Sequence, residues 1–104
     1  SYPETISRVV VDLEVDYSTD IQRVKQILID LAKNHPLSLK DYEPTVFVVN
    51  FASSGISLRL ILRTNDYRNL YQIQSDLREQ ILVRFREENI EIPYQQIVIH
   101  TKNK

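Results

Sequence analysis

The stretch N50-FASSGISLRLILR-T64 decides the fold, because it predicts the turn and the second strand of a β-hairpin. After Gly55, which is the single glycine of the chain, apolar and polar residues alternate, as in a strand that buries one face. The apolar positions are Ile56, Leu58, Leu60 and Leu62, and the polar ones are Ser57, Arg59 and Arg63. The preceding run, Thr45 to Phe51, is rich in β-branched and aromatic residues. We therefore expect an antiparallel hairpin whose apolar face the rest of the chain covers.

Composition limits the classes of protein that this chain can represent. Its 104 residues suit one domain, and the absence of cysteine excludes disulfides, thiolate metal sites and cysteine nucleophiles. A net charge of −1, with both signs interspersed, provides no field that would attract nucleic acid. The sequence contains no apolar run of membrane-spanning length and no signal-peptide pattern. We interpret residues 1–5 as a linker.

Two amphipathic helices are predicted around the hairpin, the first after a strand from Ile6 to Val15. Thr19 and Gln22 form a capping-box pattern, so a helix should begin there and continue to about Lys33. The second helix should begin at Asn65-Asp66 and end near Glu88. Its apolar stripe consists of Tyr67, Leu70, Ile73, Leu77, Ile81 and Phe85.

The end of the chain contains two further β-prone segments. Asn89 suits the left-handed residue that follows a helix, and Ile90-Glu91-Ile92 then predicts a fourth strand that Pro93 ends. The order β-α-β-β-α-β is that of the ferredoxin-like sandwich, an α+β fold with a four-stranded antiparallel sheet and two helices on one face. We assign residues 6–95 to this domain. Leu58, Leu60, Leu77 and Ile81 should be buried between the hairpin and the second helix.

No residues form a recognisable catalytic, cofactor or metal site. His35 and His100 have no carboxylate or second histidine at ligand spacing, so we expect neither to have a catalytic or metal-binding role. Ser53-Ser54-Gly55 joins strand to strand, whereas a nucleophile elbow joins strand to helix. A single glycine also rules out a phosphate-binding Gly-rich loop. We expect a protein that is not an enzyme and binds no cofactor.

The open face of the sheet should be polar. The outward positions on the first and third strands are Asp12, Glu14, Arg59, Ile61 and Arg63. None is aromatic, and an RNA-binding sheet of this type stacks bases on aromatic residues, so we expect no nucleic-acid partner. Cross-strand ion pairs on a solvated surface are the plain interpretation, and an interface with a subunit or domain is the functional alternative.

Three segments together resemble the C-terminal cytoplasmic domain of the small-conductance mechanosensitive channel (MscS) family. They are the hairpin Asn50 to Leu60, the segment Ile90-Glu91-Ile92-Pro93-Tyr94-Gln95-Gln96, and the helix start Val15 to Ile21. The second resembles the family's Ile-x-Ile/Phe-Pro-Tyr/Phe-Pro-Gln signature, with Gln95 in place of the second proline. The family's membrane helices and middle domain have no counterpart here, so these residues cannot gate or conduct.

The resemblance implies a non-catalytic assembly module on the cytoplasmic side of the cell membrane. In the family, seven copies form part of a cage below the pore, and the segment after the signature joins a barrel on the symmetry axis. Residues 96–104 would then be an assembly strand and tail, and the membrane would be reached only through the absent upstream region. The interaction residues would be Gln96, Ile97, Val98, Ile99, His100 and Thr101. The alternative is a free-standing ferredoxin-like regulatory domain that binds a small ligand at a subunit interface.

Overall fold

A computed structural model of the chain describes residues 6–93. The described part contains three strands and two α-helices, and a single turn of 3-10 helix precedes the second α-helix. In chain order they are β1 (Ser7–Val15), α1 (Ile21–Lys33), β2 (Thr45–Phe51), β3 (Ile56–Thr64), the 3-10 turn (Tyr67–Asn69) and α2 (Leu70–Glu87).

The three strands form one antiparallel sheet with the order β1-β3-β2, so the hairpin strand β3 lies in the middle. Asp12 faces Arg59 across β1 and β3, while Val46 faces Leu60 across β2 and β3. A β-bulge interrupts the hairpin between Val48 and Asn50. The two helices contact each other and cover one face of the sheet. The expected α+β fold, with an antiparallel sheet and two helices, is confirmed.

The core lies between the helices and the sheet, as the alternation in the hairpin predicts. Leu58, Leu60 and Leu77 are fully buried and Ile81 is 3% exposed, so this predicted quartet is confirmed. The other buried apolar residues are Val9, Val11, Val15, Val24, Ile27, Leu28, Ala32, Val46, Ile56, Leu62, Ile73 and Phe85. Every second residue of β3, from Ile56 to Thr64, is buried, which makes this strand the centre of the core.

Both helix starts differ from their predicted positions by a few residues. Asp20, not Thr19, caps α1, since its carboxylate accepts hydrogen bonds from the backbone N–H groups of Gln22 and Arg23. Asp66 caps the 3-10 turn, and α2 begins only at Leu70. Because of that extra turn Tyr67 leaves the buried stripe and is exposed. At α1 an aspartate beside the predicted Thr19 provided the stronger N-terminal acceptor, whereas at the second helix the predicted Asp66 caps a 3-10 turn that precedes α2.

The predicted fourth strand at Ile90–Ile92 is not confirmed, because these residues are irregular and the described part of the chain has three strands. One backbone hydrogen bond, from Asp16 N to Glu91 O at 3.1 Å, links this segment to the end of β1. Pro93 follows two residues later and has no N–H group to extend such a pairing. A single hydrogen bond therefore holds the segment beside β1 without forming a ladder.

Candidate assembly surface

The predicted interaction residues, Gln96 to Thr101, lie outside the described residues, as do Tyr94 and Gln95. What the structure does define is the route by which the chain leaves the domain. Asn89 has a φ of 60°, the left-handed conformation predicted for it. Its N–H donates to Arg86 O, and the N–H of Ile90 donates to Phe85 O at 2.8 Å. These two bonds form a Schellman motif, which ends α2 and turns the chain back toward the sheet.

Gly55 lets the departing chain pass close to the hairpin. A Cβ atom at this position would lie within 3.0 Å of both Val15 O and Pro93 Cγ. Gly55 has no positive φ, so the glycine is required for close approach and not for backbone conformation. The single glycine of the sequence thus packs the hairpin turn against the end of β1 and against Pro93.

The outward face of the sheet consists of four rows of side chains that run across the strands. The first row pairs Arg8 with Arg63, and the second joins Val10, Ile61 and Thr45. The third joins Asp12, Arg59 and Phe47, and the fourth joins Glu14, Ser57 and Asn50. The predicted outward positions are therefore confirmed. Phe47, which is 52% exposed, is an aromatic residue that the sequence analysis did not place on this face.

The third row contains the expected cross-strand ion pair. Arg59 Nε lies 2.8 Å from Asp12 Oδ1, and Arg59 Nη2 lies 3.2 Å from Asp12 Oδ2, which is a bidentate arrangement. The hydrogen bond and charge of Arg59 lower the pKa of Asp12, and those of Asp12 raise the pKa of Arg59. Because the two side chains are 56% and 41% exposed, solvent screens most of this attraction.

The two edges of the sheet differ in how far the chain covers them. On β1, Gln74 of α2 donates from Nε2 to Val10 O at 2.8 Å, which supplies a partner for an edge carbonyl. On β2, Phe47, Val48, Val49 and Phe51 are exposed, and Phe51 reaches 73%. Exposed apolar residues on a strand edge favour pairing with another chain, so β2 is the less protected edge.

His35 is buried and joins the two helices. Its side chain is 1% exposed, with Nε2 at 2.8 Å from Asp76 Oδ2 and Nδ1 at 3.1 Å from the N–H of Leu37, which donates to it. A neutral ring with its proton on Nε2 satisfies both contacts. His35 and a second donor, Gln72, lower the pKa of Asp76. The sequence analysis found no carboxylate near His35, because 41 residues separate the pair along the chain.

A polar cleft of about 620 Å³ lies between the start of α1 and the end of α2. Beside the cleft, Glu88 accepts from Arg84 Nε at 3.0 Å and also pairs with Arg23, so its carboxylate already has two cationic partners. Within residues 6–93, no group of three or more His, Asp or Glu side chains is placed to hold a metal ion. In that same range, no helix is both long enough and apolar enough to cross a membrane.

A sequence model of the family described as "Mechanosensitive ion channel MscS, C-terminal" matches residues 9–92. The chain belongs to the MscS family. The match begins in β1 and ends just after α2, so it includes every element of the fold described above. The resemblance to the MscS family is thereby confirmed.

Curated relatives from bacteria and an archaeon match most or all of the chain. "Mechanosensitive channel MscK" of Escherichia coli K12 is 29% identical over 104 residues, which is all of this chain and 9% of that protein. An uncharacterized MscS family protein of Haemophilus influenzae is 27% identical over 95% of the chain and 9% of its own length. A third, from Archaeoglobus fulgidus, is 28% identical over 86% of the chain and 31% of its own length. The chain thus spans less than a third of each of these relatives.

The crystal structure of Helicobacter pylori MscS in its closed state has the same fold in the matched region. The two align with a TM-score of 0.79 and 22% sequence identity, over 95% of this chain and 39% of that one. These relatives are a mechanosensitive channel, proteins of the MscS family and an MscS channel of known structure.

Proposed function

We propose that this MscS-family domain is a non-catalytic assembly module, which forms part of a cytoplasmic cage below the pore of a mechanosensitive channel. The observation that carries the proposal is the family match over residues 9–92. The proposal includes the cytoplasmic side of the membrane as its location and seven copies around one axis in the complete channel. The ferredoxin-like relationship is also part of it, supported by the strand order β1-β3-β2 with both helices on one face.

The proposal further assigns Gln96 to Thr101 to contacts between subunits and not to the domain's own sheet. Two features of the described residues support this assignment. The edge of β1 already has a side-chain partner at Val10 O, which Gln74 occupies. The contact between Pro93 and Gly55 fixes the place where the chain leaves the domain, and proline cannot donate to a ladder there. β-prone residues beyond that point need a partner from elsewhere.

Deletion of residues 96–104 tests the assembly role. The thermal midpoint of the shortened chain should stay close to that of the full chain, while any oligomer seen by light scattering should diminish. A chain that lacks only residues 102–104 is the matched control, since it keeps the proposed contact strand, and it should behave like the full chain. A large fall in the thermal midpoint of a strictly monomeric protein would show instead that the strand completes the domain's own sheet.

A further inference from the structure

We propose that Arg8 and Arg63 form a binding site for a carboxylate group on the outward face of the sheet. The two residues lie directly opposite each other on β1 and β3. Like charges in this position repel, and the repulsion opposes the pairing of the two strands. An anion between the two guanidinium groups would attract both of them and so offset their mutual repulsion.

The surroundings of the pair supply no such anion within residues 6–93. No carboxylate in this range lies within ion-pair distance of either guanidinium group. Glu43, which precedes β2 on this side of the hairpin, pairs with Lys33 at 3.6 Å. The charge of the arginine row is therefore uncompensated in the described part of the chain.

Arg63 carries the second observation. Its Nη1 atom is buried, and it has no hydrogen-bond partner among residues 6–93. A buried donor without an acceptor is unusual in folded proteins and has a cost in stability. A ligand oxygen would remove the cost if the half-buried side chain of Arg63 turned this nitrogen toward the outward face, so the site favours a ligand with hydrogen-bonding oxygens over a simple halide.

The third row of the same face contains a carboxylate, which the first row lacks. There, Arg59 meets the carboxylate of Asp12 across the same two strands with two hydrogen bonds. In the first row an arginine takes the place of that aspartate. Guanidinium and carboxylate groups match in geometry, and two guanidinium groups side by side can bind both oxygens of one carboxylate. The neighbouring side chains, Val10 and Ile61, are apolar and would exclude water from one side of the ligand.

The ligand chemistry is thus a carboxylate, and it has two possible sources: a free carboxylate solute or an acidic side chain of a second copy of this chain. The inference does not depend on the assembly role proposed above, because it rests on residues of β1 and β3 and not on residues 96–104. The chain shortened by residues 96–104 keeps both arginines and should bind malonate as the full chain does, whatever the deletion does to an oligomer.

Malonate is a suitable probe, and NMR of the 104-residue chain at constant ionic strength is a suitable measurement. We expect saturable shifts of the arginine Nε–Hε signals of Arg8 and Arg63 as malonate replaces chloride. Arg63→Gln should weaken binding by about tenfold, the usual effect of losing a hydrogen bond to a charged group. Arg63→Lys keeps the charge but loses the forked geometry of the guanidinium group. Its affinity for malonate should therefore lie between those of the original chain and of Arg63→Gln. Arg86→Gln, an exposed arginine of α2, is the control and should bind like the original chain.

Protein concentration separates the two sources. If the carboxylate comes from a second copy, the same signals shift as the protein is concentrated without malonate, and malonate reverses the shift. If it is a free solute, the signals do not depend on protein concentration. Shifts that never saturate, or that persist unchanged in Arg63→Gln and Arg8→Gln, would overturn the proposal.

Discussion

The two faces of β3 differ sharply, although they alternate along the same nine residues. On the inner face Leu58, Leu60 and Leu62 are buried by helices of the same chain. On the outer face Arg59 has a partner within the sheet, while Arg63 has a buried nitrogen with no partner in the described part of the chain. The domain itself therefore supplies the side chains that cover the inner face. The groups that a second molecule could still contact lie on the outer face and at the edges.

Truncation of one residue on each face should give the largest measurable difference. Leu60→Ala removes a fully buried side chain between sheet and helices and should lower the free energy of unfolding by about 2–5 kcal/mol. Ile61→Ala, on the outer face, is the matched neighbour. It should cost about 1 kcal/mol, since its side chain is already partly exposed. Urea denaturation of both variants makes the comparison, and equal losses would show that the outer face is as closed as the inner one.

Gly55 directly precedes β3 and packs against Val15 and Pro93, so its substitution should have the next largest effect. In Gly55→Ala the new methyl group would overlap Val15 O and Pro93, and the backbone must move to accommodate it. Such overpacking lowers the free energy of unfolding by about 1–3 kcal/mol. Ser53→Ala, at an exposed position of the same turn, is the control in thermal unfolding. A neutral Gly55→Ala would mean that neither Val15 O nor Pro93 lies this close to the turn.

The same contrast explains how much of the fold could be predicted from the sequence. Periodicity identified the hairpin, both helices and the buried face of β3, because each is a local pattern of apolar residues. It also placed Asp12 and Arg59 on one face, since the expected topology made their strands neighbours. It missed the shift of α2 to Leu70, because Asn65 and Asp66 are both acceptable caps and Asp66 also opens a 3-10 turn.

Contacts between distant parts of the chain were the ones that the sequence could not predict. The pairing of His35 with Asp76 depends on how the end of α1 packs against α2, and no local spacing encodes it. The role of Gly55 was also hidden, because a glycine in a hairpin turn usually suggests a special φ and not a close approach to Pro93. That Arg63 Nη1 has no partner among the described residues could be found only from the positions of all the neighbouring atoms.

The dependence of stability on pH tests the pairing of Asp76 with His35, on the side of the sheet that the helices cover. Hydrogen bonds from His35 and Gln72 lower its pKa in the folded chain, below the value of about 3.9 for an aspartate in an unfolded one. Its ionised form therefore stabilises the fold above pH 4, and this contribution is lost as the pH falls through the lowered pKa. Asp76→Asn should be less stable than the original chain at neutral pH, and the difference should shrink between about pH 4 and pH 2.

The control for this titration is Asp30→Asn, in an exposed part of α1. The side chain of Asp30 accepts no hydrogen bond among the described residues, so its replacement should not alter the acid profile in the same way. Chemical denaturation at a series of pH values gives both curves. If the difference between the original chain and Asp76→Asn stayed constant down to pH 2, the pairing with His35 would not stabilise the ionised carboxylate.

The smallest effect should come from the ion pair of the outer face, between Asp12 and Arg59. Asp12→Asn keeps the size of the side chain and one acceptor oxygen but removes the charge that faces Arg59. Both side chains are widely exposed, so solvent and salt already screen their attraction, and the stability should change little. The loss should be visible only at low ionic strength and should vanish as salt is added. Glu14, two residues along the same face and opposite Ser57, has no ion-pair partner among residues 6–93, so Glu14→Gln serves as the control. A large loss that persists at high salt would mean that the third row stabilises the fold as the core does, and the contrast between the two faces of β3 would then rest on the arginine row alone.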